Sequence, residues 1–246
     1  MIVDHQLKQV FIHIPKCAGS TIRRAIERNG PVVSFTNDVR EIDGNKIDFT
    51  HLPYKHWDRY LPNLYKDTKD YEFVAIIRDP ATRFRSSFSQ LRKKLEKKNR
   101  ILTDDQLIEF FSNNVEHIRK NQLDASFIHF QPQVLFLDDV PNVKYLCMEN
   151  TLGLQKYFLE NWNVTTNFSI KQNSAQLLRY RSLIKLVRLT GISNAKIFGE
   201  NLKSKIRKSL YSRQETFDAQ KLIERFDGFY YNFYEADISL YRSLSE

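Results

Sequence analysis

The sequence predicts an α/β domain in which a central, mostly parallel sheet is covered by helices on both faces and the C-terminal part is helical. Three observations predict it. Short apolar strand patterns alternate with helical ones as far as about residue 161. Two segments, Phe11-Ile12-His13-Ile14-Pro15-Lys16-Cys17-Ala18-Gly19-Ser20-Thr21 and Val74-Ala75-Ile76-Ile77-Arg78-Asp79-Pro80-Ala81-Thr82-Arg83-Phe84-Arg85-Ser86, each read as a buried strand, a tight loop and the start of a helix. The chain of 246 residues is long enough for one substantial core and too short for two independent enzymatic domains, so residues 1–246 read as a single domain.

Residues 8–14 read as the first strand and 20–29 as the helix it feeds, stopped by Asn29-Gly30-Pro31. Residues 32–35 and 47–50 are short strand candidates around a polar turn containing Asp43-Gly44-Asn45. Residues 72–77 form the strongest buried strand, continuously apolar after Glu72 and halted at Asp79-Pro80. From Ala81 to about Lys98 the pattern turns helical, with Phe84, Phe88, Leu91 and Leu95 at spacings of three and four. Thr103-Asp104-Asp105 caps a further helix through about Ser112, and residues 143–147 are a strand before a helix over 151–161. Beyond Asn163 the chain is mostly helical and basic, with a polar stretch at 165–174 that reads as an ordered loop and an aromatic-rich closing helix over 229–244.

The formal net charge of +9 points to an anionic partner. Lys93, Lys97 and Arg100 fall at helical spacing, as do Arg181, Lys185 and Arg188, which is also the pattern of a solvated helix face. Two cysteines, Cys17 and Cys147, make no disulfide framework and no metal-ligand cluster. No apolar run is long enough to span a bilayer, and Asp4, His5 and Lys8 interrupt any signal-peptide core, so the expectation is a cytoplasmic protein.

In the first loop, backbone N–H groups of Cys17, Ala18, Gly19, Ser20 and Thr21 at a helix N-terminus, the Ser20 and Thr21 hydroxyls and the Lys16 ammonium suit a phosphate. Gly19 lets the backbone approach closely. Lys16 precedes the glycine, unlike the Gly-Lys-Ser/Thr order of a P-loop NTPase. In the second, Arg78 offers a planar fork and Ser86 a hydroxyl from the following helix.

Taken together, the two segments resemble the 5′-phosphosulfate-binding loop and the 3′-phosphate-binding segment of sulfotransferases that use 3′-phosphoadenosine-5′-phosphosulfate (PAPS). The likeness is greatest to the branch containing heparan and chondroitin sulfate O-sulfotransferases. That resemblance implies a P-loop-like three-layer fold and transfer of a sulfuryl group from PAPS to a hydroxyl, with adenosine 3′,5′-bisphosphate (PAP) as product and no metal. Arg78 and Ser86 would be the 3′-phosphate ligands and Lys16 the stabiliser of the leaving oxygen. His51, in Asp48-Phe49-Thr50-His51-Leu52-Pro53-Tyr54, matches the position of the catalytic base, with His13 and His56 as secondary candidates. Its activity would fall as pH drops through the unperturbed histidine range, around 6 to 7. Asn173 and Ser174 resemble a loop that closes over the nucleotide. Phe130-Gln131-Pro132-Gln133 and Phe233-Tyr234-Glu235-Ala236-Asp237-Ile238-Ser239-Leu240-Tyr241 also resemble the family, the first without a role. The expected acceptor is an anionic or neutral glycan, with no nucleic acid. A P-loop kinase-like phosphotransferase and a non-catalytic polyanion-binding protein remain as alternatives.

Overall fold

The computed structural model describes residues 1–165, 176–178, 211–213 and 217–245. Its strands are β1 (Ile2–Asp4), β2 (Gln9–Ile12), β3 (Val33–Ser34), β4 (Val39–Ile42), β5 (Asn45–Asp48), β6 (Glu72–Ile77) and β7 (Val143–Cys147), with a further antiparallel pair formed by Gln176–Leu178 and Tyr211–Arg213. Five of them form the central sheet in the order β3-β1-β2-β6-β7. β2, β6 and β7 pair in parallel, while β1 is antiparallel to both β2 and β3. β1 therefore runs against the other four. β6 lies between two parallel neighbours, which accounts for its buried Phe73-Val74-Ala75-Ile76-Ile77 run.

The parallel register places the two loops side by side. Ile12, at the end of β2, pairs with Ala75 of β6, so both strands deliver their loops to the same end of the sheet. Carboxyl ends of adjacent parallel strands are where open α/β sheets receive ligands. The first loop enters helix α1 (Gly19–Asn29). β4 and β5 form a hairpin in which Ile42 pairs with Asn45. The turn between them places Asp43 and Gly44 at φ 51° and 74°, as a two-residue turn matched to strand twist requires.

Short helices α2 (Trp57–Tyr60) and α3 (Pro62–Asp67) lead to β6, and the second loop enters α4 (Pro80–Lys97). α5 (Asp104–Ser112) starts with the expected Thr103 cap, a complete capping box with Gln106. α6 (Val115–Lys120) and α7 (Thr151–Trp162) follow, and the chain closes with helices Ala219–Arg225, Asp227–Phe233 and Glu235–Ser245.

Two apolar clusters hold these elements. Around the sheet, Phe11, Val74 and Ile76 are buried with Ile22 and Ile26 of α1 and with Phe158 and Trp162 of α7. The second cluster joins α4 and α5 to the closing helices through Phe84, Phe88, Phe111, Phe130, Phe226 and Tyr234. Phe84 meets Phe88 and Phe226 edge-on, at 5.2 and 6.2 Å between ring centroids. Each such ring contributes on the order of 1.5–3 kcal/mol by burial. The cluster fixes the first turns of α4, which carry Arg83 and Ser86.

Three expectations need correction. β1 was not foreseen and adds an antiparallel member to the sheet. Arg100 lies beyond the end of α4, with its guanidinium 5.0 Å from the Phe110 ring, so it does not continue the Lys93–Lys97 face. The closing aromatic helix is broken at Tyr234, whose hydroxyl donates to the Phe130 carbonyl at 2.5 Å and whose ring packs in the second cluster.

Candidate active site

The first loop is curved by two non-glycine residues in the left-handed region, Lys16 at φ 69° and Ala18 at φ 58°. Such residues cost on the order of 1–3 kcal/mol and collect at functional sites, where alternating handedness gathers successive N–H groups into one concavity. Ala18 is the N-cap of α1 and supplies no side-chain cap, so the positive end of an eleven-residue helix is left for an external acceptor. Gly19 is required here for a reason beyond ligand approach. A Cβ at this position would overlap the His13 imidazole, which lies directly against it.

Arg78 leaves the end of β6 half-buried and donates from Nη1 to the Lys16 carbonyl at 2.9 Å, tying the two loops together. Its Nε is buried with no hydrogen-bond partner, and Arg78 makes no ion pair with the adjacent Asp79 among the described residues. Asp79 instead caps α4 by accepting from Thr82 N at 2.8 Å. Ser86 sits in the second turn of α4, and its hydroxyl has no partner among the described residues. Those of Ser87 and Ser89 turn back to carbonyls. The orphaned Arg78 Nε and the free Ser86 hydroxyl fit the phosphate contacts expected of them.

What locks the loops is Gln133, from the Phe130-Gln131-Pro132-Gln133 stretch that carried no role in the sequence. Its fully buried amide accepts at Oε1 from Arg78 N (2.9 Å) and from the Cys17 thiol (3.2 Å), and donates from Nε2 to the Arg78 carbonyl (2.9 Å). Its own N–H donates to Asp237 Oδ2 at 2.8 Å, while Val134 N donates to Oδ1 at 3.0 Å. Arg83, also fully buried, donates to the carbonyls of Pro15 (3.1 Å) and Gln131 (2.7 Å) and lies 3.9 Å from Asp237 Oδ2. The closing helix is thus wired into both loops. Burial pushes the Cys17 thiol up to about 11, which keeps it a donor to Gln133.

Three histidines meet beside the first loop. The His13 and His51 ring centroids are 4.4 Å apart, and His51 and His129 are 5.5 Å apart. His51 lies in the 3-10 turn Phe49–His51 that follows β5, held by Asp48 accepting from Thr50 N at 2.9 Å. His51 Nδ1 is 2.7 Å from the His13 carbonyl, which can only accept, so the ring carries its proton on Nδ1 and a lone pair on Nε2. His56 takes no part in this cluster; its ring faces Tyr60 at 6.4 Å. His129 had no sequence signal beyond its place next to the Phe130-Gln131-Pro132-Gln133 stretch.

Burial dominates the site's electrostatics. It lowers His51 from the usual 6.5 to about 4 and holds His13 and His129 well below the ordinary imidazole range. Lys16 falls to about 8, through burial and then the charges of Lys93 and Arg78, and has no carboxylate partner among the described residues. An entering anion would reverse that shift. The depressed imidazoles have a consequence for stability. As pH falls below about 6.5 the unfolded chain takes up protons that the folded one refuses. The stability is therefore full above that value and is lost toward the folded-state value, about 4 for His51. The urea midpoint should drop steeply between pH 6.5 and 4.5, and a flat profile across that interval would show that the imidazoles are not held neutral.

Asn173 and Ser174 lie outside the described residues, as do Arg181, Lys185 and Arg188. Among the described residues, no group of three or more His, Cys, Asp or Glu side chains is arranged to hold a metal ion, and no helix is long and apolar enough to cross a membrane. The geometry joins the two loops, leaves the buried Arg78 Nε without a partner, and places beside them the His51 imidazole, whose Nε2 has no partner among the described residues. Compared with known proteins, residues 1–242 match a family model described as the sulfotransferase family. No curated protein and no solved structure matches the chain.

Proposed function

Because this chain belongs to the sulfotransferase family, whose members transfer sulfuryl groups, we propose that it uses PAPS as donor and a carbohydrate hydroxyl as acceptor, as in the glycan O-sulfotransferases. The observation that carries this reading is the joining of the two anion sites. Arg78 bonds to the Lys16 carbonyl while leaving its own Nε unpartnered. A nucleotide with anions at both ends of one ribose spans such a pair.

The donor brings the activated sulfuryl group. Lys16 and the N-terminus of α1 hold the 5′ phosphosulfate, and Arg78 with Ser86 holds the 3′-phosphate. As the acceptor oxygen attacks sulfur in line, negative charge grows on the bridging oxygen, and the Lys16 ammonium meets it without reorganising. His51 Nε2 takes the hydroxyl proton as the new bond forms. The net positive charge of the chain suits a glycan that is already anionic.

In a thermal-shift measurement PAP should stabilise the protein far more than adenosine 5′-phosphosulfate, which lacks the 3′-phosphate. Arg78→Ala should remove most of that difference, since a charge-assisted contact is worth roughly 1.5–3 kcal/mol. Equal discrimination by the variant and the wild type would refute the Arg78 assignment, and a preference for ATP with magnesium would favour a kinase-like phosphotransferase.

A further inference from the structure

Resting on His51 as the base, we propose that His129 is a second imidazole of the acceptor site, whose Nε2–H donates a hydrogen bond to the same hydroxyl oxygen whose proton His51 removes. The two rings are set in opposite tautomers by different partners. Lys94 Nζ lies 3.4 Å from His129 Nδ1 and is anchored on the Ala125 carbonyl at 2.8 Å. An ammonium only donates, so His129 Nδ1 is the acceptor and the proton sits on Nε2. His51 is the reverse, with Nδ1–H spent on the His13 carbonyl and Nε2 bare.

The ring centroids are 5.5 Å apart at an interplanar angle of 67°, close enough for one bound group to touch both rings. The hydrogen bonds of both rings within the described residues are made through Nδ1, leaving each Nε2 unpartnered there. A hydroxyl is both donor and acceptor, and this pair of nitrogens offers one acceptor and one donor. The division of labour is enforced, because burial, and then the Lys94 charge, keeps the His129 ring neutral, while the Lys94 ammonium occupies its Nδ1. His129 therefore orients the nucleophile and retains its proton throughout. The acceptor O–S bond forms, the bridging S–O bond breaks with its electron pair going to the leaving oxygen beside Lys16, and the acceptor proton goes to His51. The segment is fixed at its backbone too, since the His129 carbonyl accepts from Ser87 Oγ at 2.6 Å on α4.

Two measurements test the proposal. In ¹⁵N spectra of histidine-labelled protein, assigned by substitution, His51 should be protonated on Nδ1 and His129 on Nε2. Lys94→Met should turn His129 into a tautomer mixture and leave His51 unchanged. Sulfuryl transfer from labelled PAPS to water, the smallest hydroxyl acceptor, gives the second readout. His129→Phe should slow it roughly tenfold by removing the donor, whereas His129→Gln, which keeps a side-chain N–H, should fall much less. PAP affinity should stay unchanged in both, reporting an intact fold. A proton on His129 Nδ1 would overturn the proposal, as would equal losses in the Phe and Gln variants. A wild-type rate in His129→Phe alongside a loss in His51→Ala would reject His129 and leave the base assignment standing. Undiminished transfer by His51→Ala would instead reject that assignment.

Discussion

His51→Ala is expected to lower kcat by roughly 10²–10⁴-fold, the range of a positioned general base, while PAP affinity barely changes. In the proposed mechanism the imidazole serves the acceptor; it contacts His13, whose ring lies against Gly19 of the first loop. The pH profile sharpens the test. An unperturbed histidine would impose an acid limb at 6 to 7. Burial moves His51 to about 4, so the wild-type kcat/KM should hold its value well below pH 6, and the alkaline limb should come from Lys16 near 8. Lys16→Ala should abolish the alkaline limb, weaken nucleotide binding and leave the acid limb in place. Near-normal turnover by a folded, PAP-binding His51→Ala protein would exclude His51, and the same assay on His13→Ala would then be decisive.

The second large effect is structural. Arg83→Met should destabilise the protein by about 3–5 kcal/mol, because it leaves the Asp237 carboxylate buried without its cation and strips donors from the Pro15 and Gln131 carbonyls. At this chain length that corresponds to a fall in melting temperature of roughly 6–20 °C. Asp237→Leu should be similarly severe, since the carboxylate also satisfies the Gln133 and Val134 N–H groups. The double variant should lose less than the sum of the singles, as residues of one network do. Additive losses, or an Arg83→Met protein melting within about 2 °C of wild type, would mean that Arg83 and Asp237 do not act as one unit.

Much of the frame was legible because its causes are local. Residues 72–77 and 143–147 are strands with the bounds their apolar runs suggest, and Thr103 starts a helix because its hydroxyl and Gln106 satisfy each other across one turn. The two loops were readable for the same reason, each being a strand end, a turn and a helix start within a few residues. What stayed hidden depends on distant partners. β1 has three residues and is a strand only because β2 and β3 accept it on either side. Arg83 and Asp237 were both in view as members of quoted segments, yet nothing in their spacing says that one buries beside the other. His51 was singled out by its resemblance to the family's base position, but the depth that depresses its basicity, and the neighbouring His129 with Lys94 behind it, arise only when residues far apart in the chain are packed together.

Gln133 reaches across the sequence to an unusual degree. Its bonds span 116 residues to Cys17, 55 to Arg78 and 104 to Asp237, so each closes a long loop of chain. Contacts of such separation form late, because the entropy of loop closure must be met before they return anything. The two loops thus become neighbours in a fixed relation only when the last large loops of chain close. A partly folded chain could hold strands, helices and even the α1 turn without possessing a nucleotide site. During refolding, recovery of PAP binding should lag behind recovery of secondary structure, making ligand capture a report on completed topology.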